Sequence, residues 1–397
     1  MVLLVPSGVR WQNIGRAWPP RAVIALTVIA CLSAPFGLSL GASGTFLLNV
    51  YLRIALFCLM LVVAMRGIRD LSLFVWAYVA SAATLAVLSL TVMEIATTAG
   101  SDARLVSSYM YDANDLGMIF LTAVPLGVLL FKSFEDWRRW AAMVALMLLT
   151  GGLAMTGSRG AFVGFLVVLP AIFMALKDVT ISKRVGVVMA LVGALVVGAP
   201  EGYWERIETV FQPSDDYNVT SDYGRLAIAK RGIGYMVQYP VLGVGVANFP
   251  RAEGTISPLA RNAAAGEAIR FLAPHNTYVQ VGAELGLPAL IIWLSLLWAG
   301  IVGLRPLRKR LAALSDPGRD EQFLLMACTY LPISFLAFAT TSFFVSHAYT
   351  PVFYVMLALL VGTQIFTRAT LRQRRVVRSE PPPAIGRAGR RRFRSAR

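Results

Sequence analysis

Residues 285–304 read LGLPALIIWLSLLWAGIVGL and contain no charged side chain. A helix needs about 20 predominantly apolar residues to cross the hydrocarbon core of a bilayer, and this stretch supplies them. Lipid offers no partners to backbone polar groups, so the segment must satisfy its own N–H and C=O groups as a helix. The stretch therefore predicts a transmembrane α-helix.

The rest of the chain has the same apolar bias. Of its residues, 57% are hydrophobic and 15% are charged, and the mean hydropathy is +0.65. Soluble domains carry about 25% charged residues. Further spans are predicted near 22–40, 44–65, 71–96, 113–131, 140–156, 161–176, 185–200, 323–343 and 351–367. The predicted fold is an all-α integral membrane protein, a polytopic bundle of about 10–12 transmembrane helices.

The distribution of positive charge predicts the topology. With the N-terminus inside, 27 of the 37 Lys and Arg residues fall in inner segments and 9 in outer ones. This is the bias of the positive-inside rule. The predicted order is a cytoplasmic N-terminus (1–21), helices (22–200), a long outer loop (201–275), helices (276–367) and a basic cytoplasmic tail (368–397). The net charge of +16 is thus explained without a nucleic-acid partner.

The long outer loop contains a candidate amphipathic helix at 224–239. Leu226, Ala229, Ile233 and Val237 share one face of it. Pro240 is expected to end the helix.

Three basic side chains of the predicted outer face are candidate site residues. Arg159 begins an apolar span, where a cation is unfavourable beside the helix dipole unless an anion binds. Arg225 begins the amphipathic helix, and His275 lies where the long loop returns to the membrane. A neutral imidazole can take a proton from a hydroxyl. The alternatives are an interfacial anchor for Arg159, a solvated cation for Arg225 and an interfacial polar residue for His275.

Other titratable residues do not predict a site. The spacing of Asp215, Asp216 and Asp222 matches no metal-ligand pattern, so we expect no metal and no cofactor. His347, in a short outer loop, fits an ordinary interfacial residue. The three cysteines lie inside apolar runs, where they are expected to be small buried side chains.

Several segments resemble the O-antigen ligase and polymerase family of bacterial envelope glycosyltransferases. They are 156–161 (TGSRGA), 224–225 (GR), 239–249 (YPVLGVGVANF), 274–280 (PHNTYVQ) and 284–288 (ELGLP). Arg104 followed by 112–115 (DAND) is similar to an earlier outer-loop pattern of that family. The order and spacing of the segments make the combination more specific than any segment alone.

The resemblance implies a C-type glycosyltransferase fold in the bacterial inner membrane, with its active site facing the periplasm. It implies transfer of a glycan from a polyprenyl diphosphate carrier to an acceptor hydroxyl, without a required metal. The catalytic residues would be His275, Arg225 and Arg159. Arg159 and Arg225 would also bind the donor, together with Arg104 and Asn276.

Several functions remain open from the sequence. An O-antigen ligase, a polysaccharide polymerase and a protein O-oligosaccharyltransferase differ in whether the acceptor is a lipid, a glycan or a protein. A transporter of lipid-linked glycans is a non-enzymatic alternative. Transporters usually carry ionisable residues or broken helices near the midplane. Here Arg53 is the clearest mid-span charge, Gly/Pro-interrupted helix pairs are not obvious, and the candidate polar residues lie on one face, which disfavours a transporter.

Overall fold

The computed structural model describes residues 10–91, 95–96, 104–105, 112–200, 202–208, 217–262 and 270–379. Apart from a two-residue antiparallel pair, β1 (Ile95–Ala96) with β2 (Arg104–Leu105), the regular structure of these residues is helical. The prediction of an all-α polytopic membrane protein is confirmed by helices long and apolar enough to cross a bilayer.

The membrane helices occupy all of the predicted spans. They are α2 (Pro19–Phe36), α3 (Leu40–Phe46) continued through a π-helical turn (Leu47–Tyr51) into α4 (Leu52–Ala64), α5 (Ile68–Thr91), α6 (Ala113–Ser133), α7 (Trp137–Met155), α8 (Arg159–Ala175), α9 (Ile181–Gly198), α15 (Thr277–Val302), α17 (Arg319–Thr341) and α18 (Pro351–Ser379). Among the described helices, eight segments are long and apolar enough to cross a bilayer. The helices α7 and α8 fill the two remaining predicted spans.

Several predicted boundaries differ from the structure, and the largest difference is at α18, which continues to Ser379 past the predicted end at residue 367. The helix α5 ends at Thr91 rather than at residue 96, and Ile95 and Ala96 instead form β1, which pairs with β2. The helix α15 consists of two helical segments that meet in a kink at Gly286 (φ +82°, ψ 175°), close to the predicted start of this span. The first segment begins earlier, at Thr277. It does so because Asn276 caps it: the Asn276 side chain accepts a hydrogen bond from the Val279 N–H at 3.0 Å.

The shorter helices lie at the ends of the bundle or in the long outer loop. They are α1 (Gln12–Arg16), α10 (Tyr203–Glu208), α11 (Tyr217–Thr220), α12 (Arg225–Gln238), α13 (Phe249–Thr255), α14 (Pro258–Asn262) and α16 (Arg305–Ala312). The helix α12 lies at the predicted amphipathic segment and packs against α15.

The buried face of α12 is not the predicted one. Its buried residues are Ile228, Gly232, Tyr235 and Met236. Gly232 determines this face. A Cβ at Gly232 would overlap the Val279 side chain of α15, so the two helices can pack this closely only because residue 232 has no side chain. The predicted stripe is left outside, with Val237 75% exposed.

The core surrounds α6. This helix is buried over most of its length and packs against α5, α7, α8 and α17. The helix α9 lies at the periphery, with 11% of its span buried. Because α6 crosses the middle of the bundle, its two ends place side chains at opposite faces of the membrane domain.

Candidate functional site

The turn between α7 and α8 places Arg159. Ser158 caps α8 by accepting a hydrogen bond from the Ala161 N–H, and its Oγ donates to Asn114 Oδ1 at 2.9 Å. Gly160 follows because no side chain fits there: a Cβ would stand 2.7 Å from the Phe344 Cβ. The segment 156–161 therefore brings Arg159, the first residue of α8, against the start of α6 and the loop after α17.

Arg225 is placed in a similar way at the start of α12. Gly224 precedes the helix in an extended conformation. The guanidinium Nη1 of Arg225 donates to the Phe344 carbonyl at 3.3 Å. Two arginines thus begin two helices, and both lie near Phe344.

His275 is held by an unusual backbone conformation. Its φ is +46°, a region that residues other than glycine rarely adopt. Non-glycine residues in this region cluster at functional sites, where the surrounding structure holds them. Here the neighbours are fixed on the C-terminal side: Thr277 N–H donates to the Ser342 carbonyl at 2.8 Å and Asn276 Nδ2 to the Phe343 carbonyl at 3.4 Å.

The segment 342–347 joins the candidate site residues. Besides its bonds to Arg225 and Asn276, it receives a hydrogen bond from Thr277 Oγ1 at the Val345 carbonyl, 2.7 Å away. At its end, His347 Nε2 lies 2.8 Å from Asp115 Oδ1 at the start of α6. This segment therefore fixes the starts of α6, α12 and α15 relative to one another.

One cavity, the site cavity, collects these side chains. Its volume is about 350 Å³. The lining residues are Asn114, Arg159, Gly160, Val163, Arg206, Asn218, Val219, Arg225, Leu226, Ala229, Pro274, His275, Asn276, Phe343 and Phe344. Four of the five residues predicted from the sequence, Arg159, Arg225, His275 and Asn276, thus lie around one space.

Arg104 is the fifth predicted site residue. Its backbone pairs with Ala96 in the strand pair, and its side chain lies outside the described part of the structure. Of the carboxylates considered for a metal, Asp215 and Asp216 lie outside the described residues. Asp222 is exposed, and its carbonyl accepts a hydrogen bond from Arg231. Within the described ranges, no group of three or more His, Cys, Asp and Glu residues is placed to hold a metal ion.

Arg231 is a cation of the outer loop that does not line the site cavity. The sequence suggests a solvated side chain, but Nε and Nη2 bind the carboxylate of buried Glu253 at 2.9 and 2.6 Å. Tyr235 Oη donates to the same carboxylate at 2.8 Å. Arg231 therefore holds α12 to α13 and is not a site residue.

Sequence reasoning missed three polar residues of the cavity, Asn114, Arg206 and Asn218. Asn114 belongs to the quoted segment 112–115, so the resemblance contained a signal for it. Arg206 lies on α10, and no motif marks it in the sequence. In the fold Arg206 packs on the turn before α8, where a Cβ on Gly157 would be 3.7 Å from its Cδ.

The charges around the cavity favour an anion and a neutral imidazole. Three arginines line it, and none of the described lining residues is a carboxylate. Burial, with help from the Arg225 guanidinium, lowers the pKa of His275 below its ordinary value of 6.5, while Asp112 and Asp115 act in the opposite direction. A neutral imidazole next to guanidinium groups can accept a proton while the cations bind a negatively charged group.

One comparison with known proteins finds a match over part of the chain. Residues 142–294 match the family model described as O-Antigen ligase. No curated protein matches the chain in a sequence comparison. The matched region supports a glycosyltransferase of the O-antigen ligase or polymerase type. The match confirms the resemblance of this multi-pass membrane protein to the O-antigen ligase family. The matched region contains Arg159, Arg225 and His275.

Proposed function

We propose that the protein transfers a glycan from a polyprenyl diphosphate carrier to an acceptor hydroxyl at the periplasmic face of the bacterial inner membrane. The single observation that carries the proposal is the site cavity, where Arg159, Arg225 and His275 converge from three separate helix starts. The same arrangement supplies each group that this reaction needs.

The arginines would bind the diphosphate. The bond between the anomeric carbon and the diphosphate oxygen breaks, and the leaving diphosphate gains negative charge. Guanidinium groups bind phosphate oxygens through paired hydrogen bonds, and cations placed where charge develops stabilise the transition state. Arg159, Arg206 and Arg225 line the cavity and can serve this purpose without a metal ion.

His275 would act on the acceptor. As the acceptor oxygen bonds to the anomeric carbon, its proton must leave, and a hydroxyl loses a proton poorly at neutral pH. The lowered pKa of His275 keeps the imidazole neutral and able to accept that proton. The Asn276 Oδ1 caps α15 and its Nδ2 donates one hydrogen bond to the Phe343 carbonyl, so its second amide N–H can be offered to a sugar hydroxyl.

The exposed stripe of α12 suits the carrier's lipid tail. Leu226 and Ala229 line the site cavity, and Ile233 and Val237 continue the stripe away from it. The stripe leads to Val241 and then to α15, since the Leu287 N–H binds the Pro240 carbonyl at 2.8 Å. The carrier's diphosphate can therefore occupy the cavity while its apolar chain follows an apolar surface to the bilayer.

A product assay tests the proposal. Purified protein in liposomes is given a labelled glycan on a polyprenyl diphosphate, together with a lipid, a glycan or a Ser/Thr peptide as acceptor. A new covalent product is expected with one acceptor, which distinguishes a ligase, a polymerase and a protein O-oligosaccharyltransferase. Movement of the label across the bilayer without covalent change would instead identify a transporter and overturn the proposal.

The matched control for the assay is Arg251→Ala. Arg251 is an exposed cation on α13, in the same outer loop, and it does not line the site cavity. Its removal changes the loop charge by the same amount as Arg225→Ala. Product formation should survive in Arg251→Ala and be lost in Arg225→Ala.

A further inference from the structure

A second cavity lies at the other end of α6. We call it the opposite cavity. Its volume is about 460 Å³, within the range of about 300–1,000 Å³ that is usual for ligand pockets. It is enclosed by the last turns of α6, the first half of α7 and the start of α9. The proposed reaction leaves it without a role.

The walls of the opposite cavity are apolar. Val128 comes from α6, Met143 and Leu146 from α7, and Val187 and Leu191 from α9. The helix α9 that closes it is peripheral, so the cavity lies next to the surrounding lipid. An acyl chain is the apolar ligand that such a position offers.

The rim of the opposite cavity is basic. Lys132, Arg139 and Lys183 line it, and Glu135 is the one acidic lining residue. Lys132 forms an ion pair with Asp178. Arg139 rests over the ring of Phe131, with 4.5 Å from its Cζ to the ring centroid, and its side chain is exposed. The rim therefore offers Arg139 and Lys183 to a negatively charged group.

The position of the rim matches that of lipid headgroups. Asn114 in the site cavity and Lys132 in the opposite cavity are 18 positions apart on α6, which corresponds to about 27 Å at about 1.5 Å per residue, close to the thickness of the hydrocarbon core. Next to the rim, Trp137 and Trp140 are 72% and 61% exposed. Exposed tryptophans are typical of the interface between hydrocarbon and water.

From these observations we propose that the opposite cavity binds an anionic phospholipid of the leaflet opposite the site cavity. Its phosphate lies between Arg139 and Lys183, and one acyl chain lies along the apolar walls of α6, α7 and α9. Basic pockets between membrane helices bind anionic headgroups in this way. The inference does not depend on the proposed glycosyl transfer.

Lipid titration with native mass spectrometry tests the proposal. The full chain in detergent is titrated separately with phosphatidylglycerol, phosphatidylcholine and phosphatidylethanolamine, and the bound lipids are counted. One phosphatidylglycerol is expected to bind more tightly than the other two lipids. The variant Arg139→Ala/Lys183→Ala should weaken it by roughly 30-fold, since each cation near an anionic headgroup contributes about fivefold.

Two matched pairs of variants locate the lipid. Arg138→Ala removes the neighbouring cation, which does not line the cavity; it lies over the ring of the lining residue Phe134 and pairs with Asp136 at 3.3 Å, so binding should change little. Gly186→Leu and Gly193→Leu both add a side chain to α9 where a Cβ meets no atom within 4 Å. Only Gly186 lines the cavity. Gly186→Leu should abolish the bound lipid and Gly193→Leu should retain it.

Several results would overturn the proposal. Equal binding of phosphatidylglycerol and phosphatidylcholine would mean that the rim does not recognise charge. A preference for phosphatidylethanolamine that Glu135→Gln removes would mean that the rim recognises a zwitterion. An adduct that survives Gly186→Leu but disappears in Arg225→Ala would lie in the site cavity.

Discussion

The two cavities at the ends of α6 both carry cations, but they hold them differently. In the site cavity, Arg159 and Arg225 begin helices, and Arg225 is tied to a backbone carbonyl. In the opposite cavity, Arg139 and Lys183 are exposed on a rim above apolar walls. Fixed cations next to a neutral imidazole can act on a reacting group, whereas exposed cations above an apolar wall suit a lipid headgroup. The surroundings of these cations, rather than their presence, therefore distinguish the proposed catalytic cavity from the proposed lipid-binding cavity.

The largest expected effect comes from the arginines of the site cavity. Arg159→Ala and Arg225→Ala should each lower turnover by about 10³-fold or more, the effect typical of an arginine that stabilises a transferring phosphoryl group. Lysine at either position should restore activity only in part, because it lacks the bidentate geometry. Turnover is measured with labelled lipid-linked glycan at matched protein levels in the membrane. A similar loss in Arg251→Ala would show that the cations of the outer loop attract anions generally rather than through a defined site.

The next largest effect is expected at His275. Removing a general base typically costs about 10²–10⁴-fold in rate. His275→Asn is the preferred variant, because asparagine tolerates the positive φ at this position better than alanine does. Turnover should fall by that order while the carrier still binds, as measured by retention of the labelled carrier. Loss of carrier binding with an unchanged chemical step would make His275 a diphosphate ligand.

The wild-type rate should also depend on pH in a defined direction. The neutral imidazole is the active form, so turnover is retained at neutral pH and lost as the pH falls through the His275 pKa. Because burial and Arg225 lower that pKa, the inflection should lie below 6.5. A pH–rate profile of the wild type measures it. An inflection above 6.5 would exclude His275 as the base.

The sequence predicts the membrane helices well because each span is a local property. About 20 apolar residues identify a helix wherever its neighbours lie. The buried face of α12 could not be predicted in the same way. It depends on contact between Gly232 and Val279, which are far apart in the sequence, so counting large apolar side chains selects the exposed face instead.

The residues of the candidate site also differ in whether a local sequence pattern predicts them. Arg159, Arg225, His275 and Asn276 lie in short segments that resemble a family, and the fold brings these segments to one cavity. Arg206 carries no local pattern, and the segment 342–347 contributes mainly backbone carbonyls, which no side-chain pattern reveals. The roles of these residues remain predictions.

A smaller effect is expected at the second histidine. His347 Nε2 lies 2.8 Å from Asp115 Oδ1, and both side chains are partly buried. His347→Ala should lower the free energy of unfolding by about 1.5–3 kcal/mol, the usual contribution of a hydrogen bond to a charged group. Thermal unfolding in detergent measures this loss, and turnover should stay near that of the wild type. A loss of turnover equal to that of His275→Asn, without a loss of stability, would give His347 a part in the chemistry.

The smallest effect on turnover is expected in the opposite cavity. Arg139→Ala/Lys183→Ala removes two cations, twice as many as Arg225→Ala, but removes them at the far end of α6. If the surroundings of a cation decide its role, this variant should lose phosphatidylglycerol and keep turnover within about twofold of the wild type, since exposed charges interact weakly across a membrane-sized distance. Both quantities are measured on one preparation, by native mass spectrometry and by the product assay. Turnover could instead fall together with lipid binding in Arg139→Ala/Lys183→Ala and Gly186→Leu, but not in Arg138→Ala and Gly193→Leu. That result would show that the two cavities are coupled through α6. The distinction between a catalytic and a binding end of that helix would then fail.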